Sequence, residues 1–571
     1  MYTASTAFLE ALTEAGISYI FANLGSDHPA LIEAIAEARA TGREVPKLLT
    51  CPNEMVAMTA AQGFAQVSGK PQAVMVHVEC GTQALAGAVH NAAKGRVPML
   101  VFAGSSPFTQ EGEMRGSRNE FIQWIQDVFD QRGIVRGYMK YDNELRTGKN
   151  IKQMVHRALQ FAKSAPKGPV YLMGPREVME EELASPVRID PADWQPIYPA
   201  ALHPDAIDPV LDTLMNAHRP LVATSYMGRN PSAVGQLVLL CSRLGIGVLE
   251  SVPSAMNFPH DHPLYLGNQW NEPHQNEALA AADAVLVIDS DVPWIPQNSR
   301  PRDDAAIFHI DVDPLKEQMP LWYIAAKRVF RADAATALKQ LNSAMDGRDI
   351  DSARVEERRR FWRDLHEKRR VALEGLEKQP DGVPTPEFVT AAVRRHVDDD
   401  TIVLNEGITN YPAIQNHMRM TYPGSIFASG GGSLGWAGGA AIGAKLACPE
   451  KTVFALTGDG SYMFSVPSTV HWMARRYETP FLTVIYNNRG WKAPRFSALA
   501  VHPDGYASRS DDIGVAFDPA PDYSGIAAAA GGAYARKVER AAEVEEAVAE
   551  AVNVVRKERR AAVLDVCLAH L

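Results

Sequence analysis

Residues 452–488 read TVFALTGDGSYMFSVPSTVHWMARRYETPFLTVIYNN. An apolar run of strand length ends at the turn Gly458–Gly460, and a second apolar run ends at Asn487–Asn488. Because strands joined through a helix lie parallel, their carboxyl ends meet at the same edge of a sheet, where ligands bind. This edge would carry the carboxylate of Asp459 and the carboxamide of Asn488, which are oxygen ligands that suit Mg²⁺. Since Mg²⁺ keeps few protein ligands and usually shares a phosphate, the stretch predicts a metal–diphosphate site.

The rest of the chain repeats this alternation of strand-length and helical runs. The pattern predicts an α/β fold of three successive doubly wound domains, each with a mostly parallel sheet covered by helices. A proline-rich bridge, SPVRIDPADWQPIYPAALHPD, separates the first two domains, and the alanine-rich run Ala527–Arg560 is predicted to be helical. The predicted divisions are an N-terminal domain at 1–185, a central domain at 200–345, a solvated linker helix at 346–380 and a C-terminal domain at 381–571.

The composition excludes several classes of protein. The chain has 571 residues, of which 46% are hydrophobic and 22% charged, which is typical of globular domains rather than disordered or coiled-coil chains. The net charge of −10 argues against binding to nucleic acid or to an anionic membrane, since both need a basic face. No uncharged apolar run is long enough to span a membrane, and the N-terminal residues lack the features of a secretion signal. Five widely spaced cysteines predict reduced thiols in a cytoplasmic protein.

The turn Gly458–Gly460, followed after 26 residues by Asn487–Asn488, resembles the signature of the thiamine diphosphate (thiamine pyrophosphate) enzymes. The resemblance implies thiamine diphosphate and Mg²⁺ as cofactors. The implied metal ligands are the side chains of Asp459 and Asn488 and the carbonyl of Gly490. The implied cofactor-binding residues here are Gly458, Asp459, Gly460, Ser461 and Asn488, and Ser461 would donate to the diphosphate. An aspartate in such a turn also has an ordinary interpretation as a turn-forming residue.

Two further segments of the predicted C-terminal domain precede predicted helices. The loop Gly430–Gly435 satisfies G-x-G-x-x-G, a pattern of nucleotide-dependent dehydrogenases, but no acidic residue stands where a dinucleotide ribose would bind. The loop resembles the family's aminopyrimidine-binding loop, which implies that the Gly432 carbonyl contacts the 4′-amino group. Leu434 would be the apolar wedge under the bent cofactor, or else a plain core leucine. Upstream, a helix begins after the strand TIVL, and the resemblance places the diphosphate near Gly407 and Thr409.

The segment Leu48–Lys70, LLTCPNEMVAMTAAQGFAQVSGK, places Glu54 after an apolar run and at the start of a helix. It resembles the family's segment in which a glutamate hydrogen-bonds to N1′ of the pyrimidine ring and activates the cofactor. The alternative is a glutamate that merely stabilises a helix N-terminus. In this family the acid and the GDG…NN domain belong to different subunits, which implies a homodimer or homotetramer whose active sites are shared between chains.

Three residues resemble substrate-side positions. Ser26 stands where benzoylformate decarboxylase has a serine that faces the substrate carboxylate, although it could instead cap the next helix. His77 resembles the histidine that transfers protons in that enzyme, the alternative being a packed or surface histidine. Gln126 resembles a glutamine that lines the site of acetolactate synthase-like enzymes and is followed there by a lysine, here Lys140.

The resemblance implies C–C bond cleavage or formation on a 2-oxo acid or a related carbonyl compound. The three-domain pattern favours an acetolactate synthase-like carboligase, whereas Ser26 and His77 favour a simple decarboxylase of the benzoylformate decarboxylase type. A 2-hydroxyacyl-CoA lyase-type enzyme, a non-catalytic member of the fold and a nucleotide-dependent dehydrogenase are further alternatives. No glycine-rich loop stands at 220–230, so no FAD is predicted in the central domain.

Overall fold

The computed structural model describes residues 2–510 and 513–570. In this part of the chain the strands form three six-stranded sheets that follow one another along the sequence. Helices cover the sheets, so the predicted α/β class with three successive doubly wound units is confirmed. Over the same residues, no helix combines the length and the apolar character needed to cross a membrane.

The first unit carries a parallel sheet flanked by helices. Its strands are β1 (Tyr19–Ala22), β2 (Lys47–Thr50), β3 (Ala73–Val76), β4 (Met99–Ser105), β5 (Tyr141–Glu144) and β6 (Pro169–Pro175). Its helices are α1 (Ala4–Glu14), α2 (Pro29–Thr41), α3 (Glu54–Ser68), α4 (Val78–Ala84), α5 (Ala86–Lys94), α6 (Ile122–Ile125), α7 (Ile151–Lys163) and α8 (Arg176–Met179). The sheet order is β2-β1-β3-β4-β6-β5, with every neighbouring pair parallel.

The central unit has the strand order of a dinucleotide-binding sheet. Its strands are β7 (Pro220–Thr224), β8 (Gly247–Ser251), β9 (Tyr265–Gln269), β10 (Ala284–Ile288), β11 (Ala306–Asp311) and β12 (Arg328–Arg331). Its helices are α9 (Pro204–Asn216), α10 (Pro231–Leu244), α11 (Glu277–Ala281) and α12 (Ala334–Ala344), and α13 (Ser352–Leu376) leads to the third unit. The order β12-β11-β10-β7-β8-β9 reverses direction between β7 and β10, where ligands bind in sheets of this kind.

The third unit repeats the topology of the first. Its strands are β13 (Thr401–Glu406), β14 (Ile426–Phe427), β15 (Thr452–Gly458), β16 (Leu482–Asn487), β17 (Tyr534–Val538) and β18 (Ala562–Cys567). Its helices are α14 (Pro386–Arg394), α15 (Tyr411–Met418), α16 (Trp436–Ala447), α17 (Asp459–Phe464), α18 (Pro467–Arg476), α19 (Lys492–Val501), α20 (Tyr523–Gly531) and α21 (Ala541–Asn553). The order β14-β13-β15-β16-β18-β17 matches that of the first sheet strand for strand.

One predicted helix is wrong in its extent. The run Ala527–Arg560 is not continuously helical, because the edge strand β17 lies inside it and pairs with β18. The sequence of β17, YARKV, shows the alternation of an edge strand with one face exposed. The alanine-rich helices on either side, α20 and α21, conceal this short alternation.

The charged helix α13 is anchored rather than wholly solvated. The Trp362 ring is fully buried in the core of the central unit. The buried Arg358 guanidinium donates hydrogen bonds to the carbonyl oxygens of Leu244 at 2.8 Å and Met215 at 2.7 Å. These contacts satisfy carbonyl groups near the C-termini of α10 and α9, so they fix the first half of α13 to the central unit.

Helices α3 and α16 pack closely enough for their backbones to touch. A Cβ atom at Gly63 would lie 2.3 Å from the carbonyl oxygen of Ala440, and one at Gly443 would lie 1.9 Å from that of Ala60. Only glycine leaves room for such an approach. The seam joins the first and third units within one chain and fixes the helix that begins at Glu54 against the helix that follows the Gly430–Gly435 loop.

We expect Gly443→Ala to lower the free energy of unfolding by about 1–3 kcal/mol, because the new methyl group has no space and the backbones must separate. Thermal and denaturant unfolding of the purified protein would measure the change. The matched control is Gly235→Ala in α10, where a Cβ would meet no atom within 4 Å. That control should leave stability unchanged or raise it by about 0.5–1 kcal/mol. Equal stability of the two variants would contradict the packing argument.

Candidate active site

The carboxyl ends of β15 and β16 lie side by side and form an oxygen-rich edge. Asp459 is the first residue of α17, and its carboxylate accepts the backbone N–H of Gly460 at 2.8 Å and that of Gly490 at 2.9 Å. Burial raises the pKa of Asp459 to about 6. The aspartate therefore holds the turn after β16 against the turn after β15, and it does more than shape its own turn.

Two oxygen atoms beside Asp459 are buried without a partner. Neither Oδ1 of Asn488 nor Oγ of Ser461 has a hydrogen-bond partner among the described residues. Asn487, by contrast, is fully engaged, since its Nδ2 donates to Asp565 at 2.7 Å and its Oδ1 accepts the N–H of Arg489. Because buried polar atoms in proteins are normally paired, the unpaired oxygens of Asn488 and Ser461 are candidates to bind a ligand. The residues present thus fit a metal ion with a diphosphate, since the donor set consists of oxygen atoms and a hydroxyl group.

The turn predicted to receive the diphosphate adjoins this edge. Gly407 follows β13 and opens a short 3-10 turn that contains Thr409, after which α15 begins. The Gly407 carbonyl oxygen lies 3.7 Å from the place that a Cβ of Gly458 would occupy. The structure therefore brings Gly407, Gly458 and Asp459 to one end of the sheet.

An indole ring covers the glycine turn. A Cβ atom at Gly460 would lie 2.5 Å from Nε1 of Trp491, which packs edge-on to Phe517 with ring centroids 5.1 Å apart. Gly460, Trp491, Phe464 and Phe517 line a largely apolar cavity of about 620 Å³ that opens beside the turn. Phe496, one turn further along α19, is half exposed instead.

The loop Gly430–Gly435 is held at its C-terminal end by a glutamate whose role is not evident from the sequence. Glu406, at the end of β13, is fully buried and accepts the backbone N–H groups of Gly435 at 2.7 Å, Trp436 at 2.9 Å and Ala437 at 2.7 Å. Burial raises the pKa of Glu406 to about 7. Its position directly before Gly407 is the only sequence signal of this role.

The two other residues singled out in this loop lie on its outer part. Gly432 is exposed and donates its N–H to Nε2 of His90 at 3.1 Å, and Leu434 is half-buried just before the start of α16. Both residues therefore lie in the segment that links β14 to α16, at the same end of the sheet as Asp459.

Glu54 lies at the corresponding edge of the first sheet. It is the first residue of α3, whose N-cap Asn53 accepts the N–H of Val56 at 3.1 Å. Its Oε1 accepts a hydrogen bond from Nδ2 of Asn23 at 2.8 Å, and Asn23 directly follows β1. The Glu54 side chain is half-buried.

His77 lies beside Glu54 at the end of β3 and forms a charge-assisted cluster. Its Nδ1 is 2.5 Å from Oδ1 of Asp27, and its Nε2 is 3.2 Å from Oε1 of Gln126. The hydrogen bond to Asp27 raises the pKa of His77 despite partial burial. Burial opposes ionisation of Asp27, yet the adjacent His28 and His77 hold its pKa well below the usual range. The cluster stabilises a protonated imidazole near the Glu54 carboxylate.

Two further polar atoms at this cluster are buried and unpaired within the described chain: Ser26 Oγ and Gln126 Nε2. Ser26 does not cap α2, because the N-cap position belongs to His28 and the helix begins at Pro29. The structure thus brings His77 into contact with Gln126 and Asp27, and Ser26 directly precedes Asp27. It adds Asp27, which the sequence analysis misses although Asp27 directly follows Ser26.

Lys140 does not reach this cluster. Its Nζ donates to the carbonyl oxygens of Phe161 and Ser164 at 2.7 Å each and so caps the end of α7. Cys80 lies near the cluster, but its thiol donates to Glu79, and this hydrogen bond together with burial raises its pKa to about 11. With its pKa raised, the Cys80 thiol does not have the properties of a reactive cysteine.

The Glu54 cluster and the Asp459 cluster of one chain are not joined. No hydrogen bond or ion pair between described residues connects Asn23, Asp27, Glu54, His77 or Gln126 to the edge formed by β15 and β16. Exposed apolar side chains lie close in sequence to both clusters: Phe121, Trp124 and Phe129 near Gln126, and Phe464 near Asp459.

At the ligand-binding edge of the central sheet, polar and charged side chains pair with one another. The Tyr226 hydroxyl donates to Asp311 at 2.6 Å, and Nζ of the buried Lys316 donates to the same carboxylate at 2.6 Å. Arg96, from the first unit, stacks over the Tyr226 ring at 4.7 Å and pairs with Asp291 at 3.1 Å. These contacts tie the central unit to the first one at the position where sheets of this order take nucleotides.

Comparison with known proteins gives a consistent result. The chain matches the family models of the thiamine pyrophosphate enzyme N-terminal domain at residues 2–134, central domain at 207–341 and C-terminal domain at 407–566. It is 23% identical over 505 residues to a probable acetolactate synthase large subunit of Methanocaldococcus jannaschii, covering 85% of this chain and 80% of that protein. It is 25% identical over 518 residues to the benzoylformate decarboxylase of Pseudomonas aeruginosa, covering 88% and 89%. The structure of a Rhodococcus jostii thiamine diphosphate-dependent 4-hydroxybenzoylformate decarboxylase superposes with a TM-score of 0.78 at 21% identity, covering all of both chains.

We expect Asp27→Asn to lower the pKa of His77, because the substitution removes the carboxylate that favours the imidazolium. NMR titration of protein labelled with ¹³C in the histidine rings would measure the shift, with His77→Gln identifying the signal. Asp130→Asn is the control, since Asp130 is exposed and pairs with Arg136 instead. An unchanged His77 titration in Asp27→Asn would contradict the assignment.

Proposed function

The chain belongs to the thiamine pyrophosphate enzyme family, and on that premise we propose that it is a Mg²⁺- and thiamine diphosphate-dependent decarboxylase of a 2-oxo acid. The observation that carries the proposed reaction is the His77–Asp27–Gln126 cluster, which keeps a proton carrier beside unpaired hydrogen-bonding groups. When bound, the cofactor supplies the carbon nucleophile and the electron sink for cleavage of the bond to the carboxylate.

The C-terminal unit would hold the charged end of the cofactor. Asp459, Oδ1 of Asn488 and the Gly490 carbonyl would bind Mg²⁺, and the hydroxyl of Ser461 would donate to the diphosphate. Support comes from the burial of these groups and from the unpaired state of Asn488 and Ser461 within the described chain. Gly407, Thr409, Gly458 and Gly460 surround this place and leave room for the phosphates.

The residues of the first unit would manage protons and the substrate. Glu54 would hold a proton at the pyrimidine nitrogen, which favours loss of the proton at the reacting carbon. The hydroxyl of Ser26 and the amide of Gln126 would donate to the substrate carboxylate before it leaves as CO₂. His77 would then deliver the proton that replaces the carboxylate, and Asp27 would keep the imidazole charged for that step.

An acetolactate synthase-like carboligase is the second candidate. In that reaction the carbon left by decarboxylation bonds to the carbonyl carbon of another molecule instead of taking up a proton. The cavity of about 620 Å³ beside Gly460 and Trp491 favours this outcome, because it would accommodate an acceptor. Its aromatic walls at Phe464 and Phe517 would also suit an apolar substituent on a decarboxylation substrate.

Titration with Mg²⁺ and thiamine diphosphate, followed by incubation with pyruvate, branched 2-oxo acids and benzoylformate, tests the proposal. Identification of an aldehyde by mass spectrometry supports the decarboxylase, and a 2-hydroxyketone or 2-hydroxy-2-methyl acid supports the carboligase. We expect Glu54→Gln to reduce turnover by roughly 10²–10⁴-fold while the fold persists. The absence of Mg²⁺-dependent cofactor binding, or full activity of Glu54→Gln, would overturn the proposal.

We further propose that the active sites form between two copies of the chain. The lack of any hydrogen bond or ion pair between the Glu54 and Asp459 clusters, among the described residues of one chain, supports this arrangement, as do the exposed apolar side chains near them. Such surfaces usually mark an interface. A symmetric dimer would then hold two identical sites, each built from the first unit of one chain and the third unit of its partner.

Mixed oligomers test this arrangement. Glu54→Gln and Asp459→Ala chains would be co-expressed with different affinity tags, and oligomers that carry both tags would be isolated. If sites are shared, one site of each mixed dimer is intact, so activity should return to about half of the wild-type value. Mixed oligomers of two Glu54→Gln chains are the control and should stay inactive. Mixed oligomers no more active than their parents, or a monomeric protein, would refute shared sites.

A further inference from the structure

The loop Gly430–Gly435, here called the glycine loop, is hydrogen-bonded to the first unit of its own chain. Asn91 makes a paired contact with Ser433, donating Nδ2–H to its carbonyl at 2.8 Å and accepting its N–H at 3.0 Å. Just before the loop, Gln62 donates to the carbonyl of Ser429 at 2.8 Å. The backbone of the glycine loop is therefore set by tertiary contacts as well as by its own turns.

His90 provides a further hydrogen bond between the first unit and the glycine loop. It lies on α5 next to Asn91, and its Nε2 accepts the N–H of Gly432 at 3.1 Å. The ring fits closely against the loop, since a Cβ atom at Gly431 would lie 2.9 Å from Cδ2 of His90. A neutral imidazole has one nitrogen that accepts, so this hydrogen bond requires the tautomer protonated at Nδ1.

We propose that His90 is a positioning residue: it orients the Gly432 peptide for the cofactor's aminopyrimidine ring, and protonation of its imidazole releases this part of the loop. The inference rests on the proposed function, because Gly432 matters only if the cofactor binds there. His90 itself touches neither Glu54 nor the Asp459 edge among the described contacts. Its effect is therefore on the loop backbone and acts through Gly432.

The surroundings of His90 favour its neutral, accepting form. Burial and the Lys94 ammonium, one turn along α5, lower the pKa of His90 below its usual value. The ring of Tyr138, from the loop before β5, packs edge-on at 5.9 Å. The glycine loop brings no charged side chain. Across the adjoining cavity of about 310 Å³, the titratable groups are Tyr226, Asp291 and Tyr411. Asp291 is paired with Lys316 at 2.8 Å.

Protonation would break the contact for a simple reason. The imidazolium carries N–H groups on both nitrogens, so Nε2 would face the Gly432 N–H as a second donor. The hydrogen bond is lost and the two hydrogens repel each other. Acidification should therefore free the Gly432 peptide while Asn91 still holds Ser433, and it should weaken cofactor binding without unfolding the protein.

Two substitutions distinguish the contribution of the Nε2 acceptor from that of ring packing. In His90→Phe the ring remains but no atom accepts, so the Gly432 amide loses its partner. In His90→Gln the amide oxygen can occupy nearly the same place as Nε2, accepts a hydrogen bond and does not titrate. His90→Gln should therefore keep the hydrogen bond to Gly432 that His90→Phe loses. It should also remove the pH dependence of that hydrogen bond.

Hydrogen–deuterium exchange of the apo-protein provides a readout independent of the cofactor. Peptides that span residues 428–436 should exchange faster in His90→Phe than in the wild type, and at the wild-type rate in His90→Gln. Peptides from α10 should not change and serve as an internal control. Unchanged exchange in His90→Phe would show that the Gly432 contact does not hold the loop and would overturn the proposal.

Cofactor affinity is the second readout, measured by titrating thiamine diphosphate at saturating Mg²⁺. At neutral pH we expect the Kd of His90→Phe to rise about tenfold, the typical effect of one lost hydrogen bond, and that of His90→Gln to stay within about twofold of the wild type. On acidification the wild type should lose affinity more steeply than His90→Gln. Lys94→Gln removes the positive charge that lowers the pKa of His90, so this variant should begin to lose cofactor affinity at a higher pH than the wild type.

The two proposals fail in different ways. If the wild type binds no thiamine diphosphate, the proposed function fails, and the exchange data alone decide whether His90 holds the loop. If the wild type binds the cofactor, equal affinity of His90→Phe and the wild type overturns the positioning role. Identical acid dependence of His90→Gln and the wild type would refute the protonation step.

Discussion

The contact on which the molecule depends is the glycine-lined seam between α3 and α16. At this seam the backbones of two helices from different units touch, so neither helix can move without the other. One helix begins with Glu54 and the other follows the glycine loop, and each is therefore positioned by the other's backbone. A shift of one helix must shift the other, because the two backbones are in direct contact and no flexible side chain lies between them. This one contact therefore fixes both the start of α3, where Glu54 lies, and the start of α16, which follows the glycine loop.

The motif at residues 452–488 predicts the C-terminal edge well because its information is local. Strand, turn and helix signals within a short stretch indicate where Asp459 and Asn488 lie. The sequence cannot distinguish the two asparagines, however, since Asn487 is engaged by Asp565, a residue far along the chain. Glu54 is found for the same local reason, as an acid between an apolar run and an alanine-rich helix.

What the sequence conceals depends on contacts between distant segments. Edge strands such as β5 and β17 are short and polar on one face, and only pairing with a neighbour makes them strands. Asp27 and Glu406 are ordinary acids in the sequence, and their roles appear only when His77 and the start of α16 are brought against them. His90 is likewise unremarkable until folding places Gly432 on its ring. In each case the partner lies tens or hundreds of residues away.

The matching strand orders of the first and third sheets give the seam a further meaning. In each sheet, the helix at the seam follows the second strand along the chain: α3 follows β2, and α16 follows β14. Equivalent elements therefore face each other, which is the arrangement of an isologous interface, here made within a single polypeptide. The chain is in this sense an internal pseudo-dimer, with Glu54 and the glycine loop at equivalent positions of its two halves. The two chemical tasks proposed for Glu54 and for the glycine loop therefore fall at positions that a pseudo-twofold relation makes equivalent.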